Sequence, residues 1–219
     1  GLFGVQSYLV NGVRTGSRKL GTRANLFQPA AILELVVYHN EQKNLQRIKE
    51  YRWAVLYEQL FYDVFKGSVA TYMIELLSKC LKQPEPNTEL FYFMEDVLTH
   101  LDRASPAIVA NFPLFYAVHL ANFFGFRIAD EFSEEAPYLD LQEGLFVPQA
   151  PHHSMYLDTG LSEITAHLLK VMQPEELTDL KLQVGTRRSL LQYFETYYAL
   201  HVPEFGHLRS LPVLQEVLG

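Results

Sequence analysis

The sequence predicts an α+β chain: a small β module first, then a larger all-α module that carries one β-hairpin. Three observations lead there. Apolar residues alternate with period two in short runs before residue 52. From about residue 60 the spacing becomes that of helices buried along one stripe. Nothing before residue 52 reads as a long helix.

The elements follow in order. "VQSYLV" (5–10) and "AILELVVY" (31–38) read as strands, the second with Leu33, Leu35 and Val37 on one face and Glu34 on the other. "LQRIKEYR" (45–52) fits a third strand, with Leu45 and Arg47 alternating against Gln46 and Ile48. A Gly-rich loop (11–25) and a polar turn from His39 to Asn44 separate them. Val69, Met73, Leu76, Leu77 and Cys80 then mark a helix that "KQPEPN" stops. Asn87 or Thr88 caps a second helix through Asp102, burying Leu90, Phe93, Met94, Val97 and Leu101. Ser105-Pro106 starts a third, which runs to Gly125, with Pro113 kinking or splitting it. "PYLDLQEGLFVP" (137–148) is a hairpin turning at Glu143-Gly144. Helices are expected again at about 161–171, 174–181 and 186–201, and a last one from Ser210.

Composition narrows the function. Hydrophobic residues make up 48% of the 219, enough for a real core. No uninterrupted apolar run reaches the roughly 18 residues of a membrane span, and no signal-peptide layout opens the chain. One cysteine, Cys80, leaves no internal disulfide and no multi-cysteine zinc site, so a reducing cytoplasm is the expected compartment. Charge is segregated. Residues 1–52 hold eight Lys/Arg against three acids, and residues 53–219 hold ten against 22, a net +5 followed by a net −12. The whole-chain balance of −7 argues against nucleic acid; the split argues for it at one end.

Catalytic motifs are absent: no nucleophile elbow, phosphate loop, HExxH or paired-carboxylate motif occurs, and Gly12, Gly16 and Gly21 are spaced too widely for a dinucleotide fingerprint. The expectation is a protein that is not an enzyme. His152-His153, with Asp158 nearby, is the one dense histidine site. Adjacent side chains on an extended segment point to opposite faces, so a Pro-rich surface loop explains them better than a metal site. The chemistry-bearing stretch is the 10–25 loop, where Arg14, Arg18, Lys19 and Arg23 cluster without acids among glycines that let a backbone approach a ligand closely. Such a loop can contact successive phosphates and release counterions. Tyr8 and Phe27 are the flat side chains in reach for base stacking. Nucleic-acid binding is the reading from the residues alone.

The stretch from "FGVQSYLVNGVR" through "ANLFQPAAILELVVYH" to "NLQRIKEYR" resembles the N-terminal region of the RecO family, in the form found in Bacteroidetes. The resemblance continues through "NFPLFYAVHLANFFGF", "YLDLQEGLFVP" and "FGHLRSLPVLQEVL" and covers nearly the whole chain. It implies an N-terminal OB-fold β-barrel (1–54), partial because two strands would precede Gly1, followed by a helical domain (55–219) with its hairpin near 137–148. It implies a recombination mediator of DNA repair that binds and anneals single- and double-stranded DNA. The implied partners are RecR, single-strand binding protein and, indirectly, the recombinase RecA, at the nucleoid in the cytoplasm and with no cofactor. By position, Arg14, Arg18, Lys19 and Arg23 inherit the DNA contact, with Arg47, Lys49 and Arg52 as further candidates. The tail of single-strand binding protein, acidic with an apolar end, is expected at Phe124, Phe126 and Arg127, where aromatics adjoin a cation.

Many relatives in that family hold zinc with four cysteines between helical segments. The corresponding segment here, about 127–150, has no cysteine, so no zinc is expected, and packing of Tyr138, Leu141 and Phe146 is expected to replace it. Two other classes stay open: an interaction adaptor without DNA affinity of its own, and an OB-type RNA-binding protein.

Overall fold

A computed structural model describes residues 4–10, 25–40, 42, 44–82 and 85–219. Arg14, Arg18, Lys19 and Arg23 lie outside the described residues.

The N-terminal module is an open three-stranded sheet in the order β1-β3-β2, built from β1 (Ser7–Leu9), β2 (Leu33–Tyr38) and β3 (Leu45–Trp53). β2 and β3 are antiparallel, with Leu33 opposite Trp53 and Leu35 opposite Tyr51, and β1 runs parallel to β3. No closed barrel forms among the described residues, which show this open sheet in place of the expected barrel. β2 alternates as its sequence requires, with Leu33, Leu35 and Val37 half-buried and Glu34, Val36 and Tyr38 exposed. In β3 the buried side chain is Gln46, while Leu45 stays exposed. A buried amide needs partners. Gln46 accepts from the Asn40 N–H at 2.8 Å and donates to the Asn40 carbonyl at 3.0 Å, clasping the β2–β3 turn.

The helical body follows. Asp63 caps α1 (Val64–Cys80) by accepting from the Phe65 and Lys66 N–H groups, and Asn87 caps α2 (Thr88–Arg103) through Leu90. α3 (Pro106–Leu120) begins at Pro106 without a side-chain bond from Ser105 and runs unbroken through Pro113. A proline inside a helix removes one hydrogen bond. Here Phe112, Leu114, Tyr116 and Leu120 have no exposure at all, and that packing carries the helix across the gap. A 3₁₀ turn (Ala121–Phe124) extends it to Gly125, whose φ of 81° makes the stop. The segment Pro106–Phe124 is long and apolar enough to cross a membrane by length and composition, and 67% of it is buried as the core helix of this fold.

The hairpin consists of β4 (Tyr138–Asp140) and β5 (Leu145–Val147), joined at Gly144. A third strand, β6 (Tyr156–Leu157), adds to β4. Leu141 is fully buried and Phe146 nearly so, while Tyr138 is half-buried with its ring edge-on to Tyr156. α4 (Thr159–Lys170), α5 (Val184–His201) and α6 (Ser210–Val217) complete the body. The helix expected at 174–181 is instead a 3₁₀ turn, Pro174–Asp179, held against α3 by the Asn111 amide donating to the Leu180 carbonyl at 2.6 Å.

Two carboxylates fix the ends of α1. Asp102, 5% exposed, accepts the N–H groups of Glu58, Gln59 and Leu60 at 2.9, 2.8 and 2.7 Å. Lys66, itself buried, donates to the Asp102 carbonyl oxygen and to Gln59, both at 2.7 Å. Glu75 accepts from the Arg209 and Ser210 N–H groups, each at 2.8 Å, and from the Ser210 hydroxyl, anchoring the start of α6. Burial alone would raise both carboxyls; the bonds they accept outweigh it and hold both below the ordinary carboxylate value.

Replacing Asp102 by alanine leaves the 58–60 backbone without its acceptor and Lys66 without its counter-charge. The expected loss is about 3–5 kcal/mol in chemical denaturation. Depressed folded-state values give stability that is complete above the unfolded carboxyl range, near pH 4, and lost as pH falls through the folded values. A wild-type unfolding midpoint that falls on acidification, with a weaker fall in Asp102→Asn, is the expected pattern. Gly144 has φ 68°, and an added Cβ would sit 2.8 Å from the Tyr197 hydroxyl, which donates to the Phe126 carbonyl. Gly144→Ala should therefore cost more than the ~1–2 kcal/mol of the left-handed backbone alone, read as a lowered Tm.

Candidate nucleic-acid interface

The exposed face of the sheet is built by register. Cross-strand partners share a face. Glu34 lies opposite Arg52, Val36 opposite Glu50 and Tyr38 opposite Arg47, and on the other side Arg47 faces Leu9 of β1. The three sheet cations predicted as contacts all project from this exposed side, but they are not equivalent. Arg52 places its Nη2 2.6 Å and its Nε 2.8 Å from the same Glu34 oxygen. Lys49 pairs with Glu50 at 3.2 Å. Arg47 has no ion pair among the described residues, so it is the sheet cation best able to take a phosphate without first giving up a carboxylate.

The aromatics redistribute as well. Phe27 packs edge-on against Tyr51 with centroids 4.9 Å apart, and Tyr8 is half-buried opposite Gln46. The ring left open is Tyr38, 60% exposed beside Arg47. The alternation of β2 placed Tyr38 opposite in phase to Leu33 and Leu35, which was the available signal. Its neighbour across the sheet depends on register, which the β2 pattern alone does not contain.

In the helical body, Phe124 and Phe126 stack at 6.4 Å, and Phe126 lies parallel to the His201 ring at 5.3 Å and edge-on to Tyr198. Both rings are partly buried against the core, and Arg127 is exposed beside them. A larger groove of about 1060 Å³ opens between α1 and the start of α6. Leu60, Ile74, Val213 and Leu214 give it an apolar lining, and Lys79 and Arg209 stand at one end. Lys79 donates to the Phe205 carbonyl at 2.6 Å, whereas the Arg209 side chain is exposed.

His153 lies 3.3 Å from Asp140, and its Nδ1 accepts the Met155 N–H at 3.2 Å, so this histidine is a hydrogen-bonding part of the hairpin. Burial lowers the His119 pKa below the ordinary imidazole value, against the opposing pull of backbone carbonyls, and its Nε2 lies 3.2 Å from the Leu168 carbonyl. Among the described residues no three His, Cys, Asp or Glu side chains converge as metal ligands. Burial pushes the Cys80 thiol up to about 12, which leaves it a packing residue rather than a nucleophile.

These features define a class: a small sheet with one cationic, aromatic face, carried by a larger acidic helical body. The profile of the family described as "Recombination protein O C terminal" matches residues 62–212. The chain is similar to the DNA repair protein RecO of Flavobacterium johnsoniae, 30% identical over 99% of this chain and 88% of that protein. The protein of the same name from Flavobacterium psychrophilum is 31% identical, and that from Phocaeicola vulgatus 30%, each over 99% of this chain and 88% of the relative. The chain belongs to the RecO family.

Proposed function

We propose that this chain is a recombination mediator of DNA repair that binds and anneals DNA and, with RecR, helps load RecA on single strands coated by single-strand binding protein. The observation that carries the reading is near-full-length similarity to relatives named DNA repair protein RecO. The placement of charge supports it, since the basic excess sits on the N-terminal module and Arg47, on its exposed sheet face, has no ion pair among the described residues. In this reading residues 1–54 are the DNA-binding module, the sheet being part of an OB-type barrel, and residues 55–219 are the partner-binding body. Arg14, Arg18, Lys19 and Arg23 supply loop contacts, with Arg47 the leading sheet residue and Lys49 and Arg52 behind it.

Single-strand binding protein brings an acidic tail with an apolar end. The rings beside Arg127 are largely spent on Tyr198 and His201, so the groove between α1 and α6 suits that tail better. Its apolar lining takes the end residues and Arg209 the carboxylates. Glu75, also in that wall, has its charge met by the Arg209 and Ser210 N–H groups.

The four loop phosphates contribute about −0.7 × 4, near −3, to the slope of log affinity against log salt for single strands, and the sheet cations add to it. Arg18→Ala with Lys19→Ala should flatten it by about 1.4, and Arg47→Ala by about 0.7, with smaller changes for Lys49→Ala and Arg52→Ala. Fluorescence anisotropy at several salt concentrations measures this. Negligible affinity for DNA would favour the adaptor class, and a clear preference for RNA of the same sequence the RNA-binding class. A labelled tail peptide provides the second assay. Arg209→Ala should weaken it by about 1 kcal/mol, roughly fivefold, with DNA affinity unchanged and Arg127→Ala without effect. If Arg127→Ala is the variant that weakens the peptide, the contact belongs to Phe124, Phe126 and Arg127.

A further inference from the structure

Leu9, Arg47 and Tyr38 form one row across the three strands of the sheet, and all three side chains are exposed. Leu45, two residues before Arg47 on the same face, is 53% exposed. At this end of the sheet a hollow of about 480 Å³ is lined by Tyr38, His39, Asn40, Leu45, Gln46 and Arg47. Its shape is held from behind, because Gln46 is buried and clasps the Asn40 backbone in both directions. Among the described residues no aromatic ring packs on Tyr38, and no carboxylate pairs with Arg47.

We propose that Tyr38, Arg47 and the hollow beside them seat one unpaired nucleotide of single-stranded DNA, its base stacked on the Tyr38 ring and its phosphate on Arg47. The proposal rests on the DNA-binding reading above and adds strand selectivity to it. An exposed aromatic face beside an exposed guanidinium matches the two halves of a nucleotide, a flat π-system and an anion. The hollow has the size of a small-ligand site and mixes apolar and polar lining, as a nucleobase requires. A base inside a duplex has both faces covered by its neighbours, so only an unpaired base can offer a face to Tyr38. Arg47 makes no such distinction, since phosphates are present on both kinds of DNA. The two residues therefore do different work: Arg47 contributes to any DNA, and Tyr38 only to single strands. Stacking tolerates every base, so the seat selects strandedness without selecting sequence.

The test is anisotropy with a short labelled oligothymidine, a duplex of equal length, and the same single strand carrying abasic sites. Tyr38→Ala should weaken single-strand binding roughly five- to a hundredfold and leave the duplex unchanged. Tyr38→Phe should bind as wild type does, because the ring carries the contact. Wild type should bind the abasic strand more weakly than the normal one, and Tyr38→Ala should lose that difference. Arg47→Ala should weaken single strand and duplex alike. If wild type binds single strands and Tyr38→Ala matches it, the seat is wrong while the DNA-binding reading stands. Equal loss on duplex and single strand, or a Tyr38→Phe as weak as the alanine variant, also overturns the stacking role. Absence of any DNA binding by wild type overturns the seat together with the reading it rests on.

Discussion

The joint between sheet and helices hangs on one carboxylate. Asp102 sits at the end of α2 and accepts three successive N–H groups from residues 58–60, the segment that leads from β3 into α1. Those groups lie where neither a strand nor a helix can satisfy them, and burying them without an acceptor would be costly. Lys66 compensates the buried charge and bonds the same turn. The aromatics Trp53, Phe61 and Tyr57 then pack around the joint, with Trp53–Phe61 and Tyr57–Phe61 centroids 5.8 and 5.2 Å apart, and Tyr57 donates to the Ala30 carbonyl at 3.2 Å. The direction in which the sheet presents its exposed face follows from this joint.

The same device recurs, and it changes the meaning of the acidic composition. Asp63, Asp102, Asp140, Asp158, Glu75 and Glu195 each accept backbone N–H groups at a cap, a turn or a loop. A net −12 over residues 53–219 therefore includes acids whose work is internal. They still repel phosphate at long range, within the reach that salt permits. The body thus spends part of its negative charge on structure and still presents an acidic field around the sheet.

Much of this fold was legible in the sequence. Period two in β2, period 3.6 in α1 and α2, the Asn87 cap and the stop at Gly125 are local signals, and each is found where its residues place it. What was not legible depended on pairing or on the surroundings. β6 is two residues long and carries no periodicity of its own. Pro113 signals a break that core packing overrides. Gln46 is buried because a turn backbone offers it two partners, a fact no strand pattern contains. The predicted sheet cations could be named but not ranked, because Glu34 meets Arg52 only in this register, and the Lys49–Glu50 pair of sequence neighbours depends on where the two side chains point at the bulge.

That register is itself set by one residue. The β2–β3 ladder runs in step from Leu33–Trp53 to Val36–Glu50 and then skips Lys49, so that Val37 faces Ile48 and Tyr38 faces Arg47. An unbroken ladder would have put Val37 opposite Lys49 and Tyr38 opposite Ile48, pairing an inward apolar residue with a cation and an outward aromatic with an apolar one. The extra residue of the bulge restores both faces at once. It keeps Val37 and Ile48 on the half-buried side, turns Lys49 out beside Glu50, and brings a cation next to the exposed ring. The juxtaposition of Tyr38 and Arg47 is thus the outward half of a correction that the core required on its inward half.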